Sequence, residues 1–371
     1  MKINNLFLDK CKSLLENMYN ENNYLFSFST KLNKGNYIND FNNELVYRYS
    51  INVFLGINKY NNIFNCKFFE TEFDKFLSLH INKIQNIGDK GLLLYALTLA
   101  KHEYSEKILQ CLIKLDKKEL ISCNLQEICW LIIGLTKYFE YSKNEELLKI
   151  LMKYFSILNN YFLDKDSLLP HHWSKFKLRY NFVSFGGIVY FLKALYEYST
   201  VLDDNYSKVI FKELVKKIID LQAEDGSWGW FYSISNIKVV DFFQIYSVHQ
   251  DSMALLFLVP AERLKIESST NAIKKSVDWL FGKNILKQKM VKTDPFFIYR
   301  SIRRKNVLSE KFERGIRSLK NSILNLNDNL YKAKRLEINK ECRSYHIGWI
   351  LYVWSDFNDL NEFINLKLQK S

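Results

Sequence analysis

Four short stretches of this 371-residue chain combine side chains in the types and spacing that proton chemistry needs. In Tyr246-Ser247-Val248-His249-Gln250-Asp251-Ser252, an imidazole and a carboxylate fall within one helical turn, and Ser247 stands where an N-cap belongs. A neutral histidine beside an acid can act as a general base. The competing role for Asp251 is to complement the positive end of the helix dipole. Arg343-Ser344-Tyr345-His346 and Arg48-Tyr49 occupy matching places at the starts of two further helical segments. An arginine buried there either pairs with a carboxylate or holds an anion. Asn124-Leu125-Gln126-Glu127 brings an acid to a third helix start, and Pro170-His171-His172-Trp173 adds histidine and tryptophan in a long link. Adjacent histidines diverge unless the backbone turns sharply, so one lining histidine is expected there rather than a metal pair.

The expected catalytic set is therefore His249, Asp251, Tyr345 and Glu127. His249 and Tyr345 would move protons, with Glu127 or Asp251 assisting. The expected binding set is Arg48, Tyr49, His172, Trp173, Trp228, Trp230, Tyr232, Arg343 and His346, with Arg48 and Arg343 holding an anion and the aromatics stacking on sugar rings. No metal or cofactor is implied.

Such residues need a frame, and the hydrophobic pattern supplies one. Six apolar segments with few charges recur at 47–56, 91–100, 125–138, 186–198, 249–258 and 345–354. Helices apolar around most of their circumference are buried. Between them run amphipathic, lysine-rich segments near 4–19, 70–86, 105–117, 145–162, 206–222, 271–285 and 310–326. Alternation of buried and half-exposed helices describes an inner and an outer ring, so the expected fold is all-α, an (α/α)6 toroid formed by residues 1–371 as a single domain. Links from inner to outer helices are short. Those from outer to inner are long: 20–44, 163–185, 223–248, and 286–309 with 327–342. Links of one kind emerge on one face of an antiparallel ring, and long links in a compact domain usually carry function. A cleft over the N-terminal ends of the inner helices follows, with free N–H groups favouring anions.

Composition narrows the partners. Hydrophobic residues make up 48% and aromatics 16% of the chain, enough for a large core, while three prolines and twelve glycines leave helices uninterrupted. The net charge of +13 fits either an anionic partner or a lysine-rich genome composition. No nucleic-acid-binding motif accompanies it, so nucleic acid is not expected as a partner. Six cysteines without a CxxC pair suit a reducing, cytoplasmic setting. No apolar run reaches the ~18 residues of a membrane span, and the N-terminal segment lacks the pattern of a signal peptide.

The stretch Gln222-x-x-Asp225-Gly226-Ser227-Trp228 resembles the QW motif of terpenoid cyclases and related α/α-toroid proteins. That resemblance implies a structural role, in which the glutamine caps a helix end and the tryptophan packs over it. The chain departs from the cyclases in lacking D-x-D-D and D-D-x-x-D motifs, and from protein prenyltransferases in lacking a zinc grouping of Asp, Cys and His. The Ser247-Val248-His249-Gln250-Asp251 helix start is similar to that of toroid proteins among bacterial surface-polysaccharide enzymes. Together these readings lead to an expected carbohydrate-active enzyme, a hydrolase, lyase or epimerase. It would act by acid/base chemistry on an acidic glycan or an activated sugar. A terpenoid cyclase-like enzyme and a non-catalytic peptide- or glycan-binding toroid are the alternatives.

Overall fold

Six segments with apolar residues on nearly every face have no surface to offer water, and they become the inner wall of a closed ring. The computed structural model describes residues 6–161, 168–169, 171, 180–305, 307–332 and 335–369. In chain order its helices are α1 (Leu6–Met18), α2 (Val46–Phe64), α3 (Glu70–His80), α4 (Ile87–Ala100), α5 (Tyr104–Leu112), α6 (Lys117–Ser122), α7 (Leu125–Ser142) and α8 (Glu145–Tyr161). They continue as α9 (Phe185–Val201), α10 (Asn205–Ile219), α11 (Leu255–Arg263), α12 (Ser269–Leu280), α13 (Val307–Ile323), α14 (Ser344–Trp354) and α15 (Asn358–Gln369). The inner wall runs α2, α4, α7, α9, α11 and α14, and α14 packs back on α2 to close the circle. Outside it α3 covers α2, α5 covers α4, α8 covers α7, α10 covers α9, α12 covers α11, and α1 covers α14. This is the (α/α)6 toroid that the alternation predicts.

Two seams of the ring are closed by missing side chains. A Cβ on Gly348 of α14 would stand 2.6 Å from the Cα of Val53, and Gly56 of α2 meets the carbonyl of Gly348 in return. At the second seam a Cβ on Gly91 of α4 would stand 2.6 Å from the Cα of Leu131, while Gly134 of α7 rests on the carbonyl of Gly91. The inner helices therefore touch backbone to backbone at both places, closer than interdigitated side chains allow.

The long links are not simple loops. Among the described residues they fold into five small antiparallel sheets. Phe182–Ser184 pairs with Phe231–Ser233, which pairs in turn with Lys238–Asp241, so the links 163–185 and 223–248 meet on one face as the link lengths predict. Ile245–Tyr246 and Leu336–Asn339 flank Ser301–Arg304 in a second sheet. Strands of two to five residues are too short for alternation to stand out in the sequence.

One expected outer helix lies elsewhere. The segment 310–326 belongs to α13, which packs on the strand Lys238–Asp241 rather than in the outer ring. Among the described residues its buried side chains make polar contacts. Arg314 pairs with Asp241 at 3.4 Å, and the Asn321 amide donates to the carbonyl of Val240 at 3.0 Å. The 316/319/323 spacing of apolar residues reads as a core stripe, but it faces solvent.

On the face opposite the long links, charges gather where the C-terminal ends of the inner helices converge. Lys193 of α9 donates to Glu197 at 2.7 Å and to the Tyr352 hydroxyl at 3.0 Å, and Lys137 of α7 reaches Glu197 at 2.6 Å. Cations suit the negative ends of helices. Burial alone would raise the Glu197 carboxyl, but Lys193 and Lys137 outweigh it and hold its pKa down at about 2.

Candidate active site

Residues from the first two turns of five inner-wall segments converge on a cleft of about 340 Å³ beneath the small sheets. α2 contributes Arg48, Tyr49 and Asn52; α7 contributes Gln126 and Trp130; α9 contributes Gly186 and Tyr190, with Ser184 just ahead of its first residue. His249 and Met253 come from a π-helical turn, His249–Met253, that leads into α11, and Tyr345 comes from α14. Trp230, Tyr246 and Arg300 enter from the links. Single π turns within helices are frequent at functional sites. This one is closed by the Ala254 N–H donating to the His249 carbonyl at 3.2 Å. Ser247 does not cap it as the sequence suggests, because its hydroxyl donates to the Tyr299 carbonyl at 2.5 Å.

His249 lies flat on Trp230, with ring centroids 5.6 Å apart and planes within 9°, and Tyr246 and Phe185 complete its cage. Burial and the neighbouring His346 hold its pKa down at about 3, so the imidazole is neutral. Its Nδ1 is buried with no hydrogen-bond partner among the described residues. Opposite in character are the phenols of Tyr49 and Tyr345, whose rings lie 4.5 Å apart. Burial keeps both protonated, raising Tyr345 well above the usual tyrosine range, and raising Tyr49 against the pull of Arg343, Arg300 and Arg48.

Two guanidinium groups face this cleft. Arg48 donates from Nε to Asp89 at 2.6 Å, approaches Glu127 at 4.0 Å, and lies over the Trp130 ring at 5.1 Å. Arg300 donates to Glu341 at 3.2 Å and lies over Tyr246 at 5.4 Å, while its buried Nε has no partner among the described residues. Pairing of Ser301 with Tyr246 places Arg300 at the wall. None of the described residues lining the cleft is an aspartate or a glutamate.

The expected set thus divides. His249, Tyr345, Arg48, Tyr49 and Trp230 line the cleft. Glu127 does not; it forms a capping box with Asn124 at the start of α7, accepts from Asn86 at 2.7 Å, and supports Arg48. Asp251 and His346 are fully buried behind the cleft and bonded to each other at 2.6 Å. Arg343 does not line the cleft; it donates to the Phe28 carbonyl at 3.1 Å and to Glu341 at 3.0 Å and is covered by the Phe28 ring. Trp228 and Tyr232 are buried in the core, not offered to a ligand. Trp228 donates to Ser276 at 2.9 Å, and the Gln222 amide donates to the same hydroxyl at 3.0 Å and to the Ala272 carbonyl at 3.1 Å, tying the motif to α12. His172 and Trp173 lie outside the described residues. Arg300, Tyr246, Trp130 and Tyr190 also line the cleft, and the sequence assigns none of them a role there.

A closed (α/α)6 ring with a cleft at the N-terminal ends of its inner helices defines this chain as an α/α toroid. Solved structures of the same fold include the cellobiose 2-epimerase of Bacillus thermoamylovorans, at a TM-score of 0.60 and 9% identity over 95% of this chain and 99% of that one. A possible GH105 family member from Salmonella enterica matches at 0.60 and 12%, over 97% and 93% of the two chains. The unsaturated glucuronyl hydrolase of Bacillus sp. GL1 matches at 0.59 and 10%, over 95% and 96%. No family model and no curated protein matches the sequence.

Proposed function

We propose that the chain is a carbohydrate-active enzyme that moves a proton at a carbon beside the carboxylate or carbonyl of an acidic sugar. The observation that carries this reading is the lining of the cleft: a neutral imidazole, protonated phenols and two guanidinium groups, with no carboxylate among the described residues. Hydrolysis of a glycosidic bond ordinarily uses a pair of carboxyl groups flanking it. Abstraction of a C–H proton does not need that pair. In this scheme Arg300 and Arg48 hold the substrate's anionic group, and helix N-termini in the floor add to their field. His249 takes the proton from carbon. The Tyr345 hydroxyl gives one back, to the opposite face of the carbon in epimerisation or to the departing oxygen in elimination. A bound anion raises the basicity of His249, so the base gains strength when the cleft is filled. Trp230 and Trp130 supply aromatic faces for a sugar ring.

The structures of like fold include a cellobiose 2-epimerase and an unsaturated glucuronyl hydrolase responsible for the degradation of glycosaminoglycan. Both act on saccharides, which supports the substrate class. Cyclisation of an isoprenoid, which the Gln222–Trp228 motif invites, needs a strong acid that the described lining does not contain. Incubation with a panel of uronate-containing oligosaccharides in heavy water tests the reading. Deuterium entering at a carbon beside the carboxyl or carbonyl, lost in His249→Ala and Tyr345→Phe, is the expected result. Cleavage without such exchange or unsaturated product, unchanged in both variants, would overturn it.

A further inference from the structure

Among the described residues the most exposed apolar surface is on α13 and the turn that follows it. Among the described residues sixteen large hydrophobic side chains are exposed, and six of them lie between 316 and 331: Ile316, Leu319, Ile323, Leu324, Leu326 and Tyr331. Ile323 is 78% exposed, the highest value of the set. Spacings of three and four place Ile316, Leu319 and Ile323 on one face of the helix. The opposite face is the polar one, and it is turned inward: Arg314 to Asp241, Arg317 to Asp328, and Asn321 to the Val240 carbonyl. A surface helix of a globular protein normally buries its apolar stripe and shows water its polar one. Across the described side chains, residues 314–323, the arrangement is reversed: Ser318 and Asn321 are buried while Leu319 and Ile323 stand out.

Charge identifies the occupant. Residues 300–341 hold twelve lysines and arginines against five aspartates and glutamates. Arg300, Arg303, Arg304, Arg314 and Arg317 are paired with carboxylates, so the charge that meets solvent comes from the others. Exposed Lys320, Lys305 and Arg335 belong to this segment. Apolar side chains amid cations match the interface of a bilayer, where acyl chains lie beneath anionic headgroups. A protein partner recognised by the same patch would need acidic residues around an apolar groove, and a second copy of this chain would set like charges against each other. No described helix is long and apolar enough to cross a membrane, so contact would be at the surface.

We propose that the outward face of α13, with Leu324, Leu326 and Tyr331, docks this protein on an anionic lipid surface. α13 lies on the strand Lys238–Asp241, whose partner strand Phe231–Ser233 follows Trp230 at the cleft wall. α13 is thus joined through two strands to the wall of the cleft. The inference does not rest on the chemistry proposed for the cleft, because its test involves no turnover.

The test is co-flotation of the intact protein with vesicles of phosphatidylcholine, with and without about one-third phosphatidylglycerol. Binding is expected to the anionic vesicles, weakened by salt. It should fall by roughly tenfold for each of Leu319→Ser and Ile323→Ser, since an interfacial helix binds in proportion to its buried apolar area. Leu366→Ser, on α15, should leave it unchanged. Ile323→Trp should show a blue-shifted emission when anionic vesicles are added. Failure to bind either vesicle would overturn the proposal. So would equal binding to neutral vesicles without salt dependence, or a dimer in solution that Ile323→Ser dissociates.

Discussion

Replacing His249 with phenylalanine should flatten part of the acid limb of the protein's stability profile. The imidazole titrates near 6.5 when exposed and at about 3 in the folded chain, because burial and His346 oppose its charge. A lowered folded value means that the unfolded chain binds more protons between those two points. Stability contributed by the neutral ring is therefore complete above about pH 6.5 and is lost progressively as pH falls toward 3. Each pH unit within that window is worth about 1.4 kcal/mol, so acidification to about pH 4.5 should cost the wild type about 2.7 kcal/mol through this residue alone. Phenylalanine keeps a flat ring against Trp230 and removes the titration. Urea denaturation of both proteins at a series of pH values isolates the effect, since other groups titrate alike in each. The difference in unfolding free energy should shrink or reverse by about 2–3 kcal/mol between neutral and about pH 4.5. A difference that stays constant across the range would refute the assignment of His249 as a buried neutral base.

Alanine at Gly348 should destabilise the ring by about 1–3 kcal/mol despite its better helix propensity, because its Cβ would collide with the backbone of Val53; the urea midpoint reports it. Glu197→Gln should cost about 3–5 kcal/mol at neutral pH by leaving Lys193 and Lys137 without their buried partner, and pairing it with Lys193→Met should recover part of the loss. Because Glu197 is held at about 2 against an ordinary 4.5, its contribution is present above about pH 4.5 and is lost as pH falls through 2, which acid denaturation of wild type and variant can check. Ser276→Ala should cost about 1–3 kcal/mol by stranding the Trp228 indole, with no change in ligand binding to the cleft.

The ring was legible in the sequence because its inner helices are apolar all round, a signal that needs no tertiary information. Ile87–Ala100 and Ser344–Trp354 could only be buried. The site was half legible for the opposite reason. Helix starts announce themselves, so Arg48, Tyr49, His249 and Tyr345 were placed at the cleft by position alone. Link residues carry no such marker. Arg300 and Arg343 both reach Glu341, at 3.2 and 3.0 Å, and only the folding of their strands decides which one faces the cleft. Likewise Trp228 and Trp230, two residues apart, differ because the first meets Ser276 on α12 and the second meets His249. The inverted face of α13 was illegible too. Periodicity reveals a stripe but not the direction in which it points.

The two glycine seams give the ring an uneven stiffness. Where backbone rests on backbone, from α14 through α2 and from α4 to α7, there is no side chain to re-rotamer and no slack to take up. That arc carries Arg48, Tyr49, Trp130 and Tyr345. The remaining arc, α9 with the π turn and α11, is joined through side chains such as Met253, which rests against Gly186 and can adjust by rotation. The cleft therefore has an anvil and a jaw. A ligand too wide for it would be met by an immovable wall bearing the anion clamp, and the give would come from the side that bears His249.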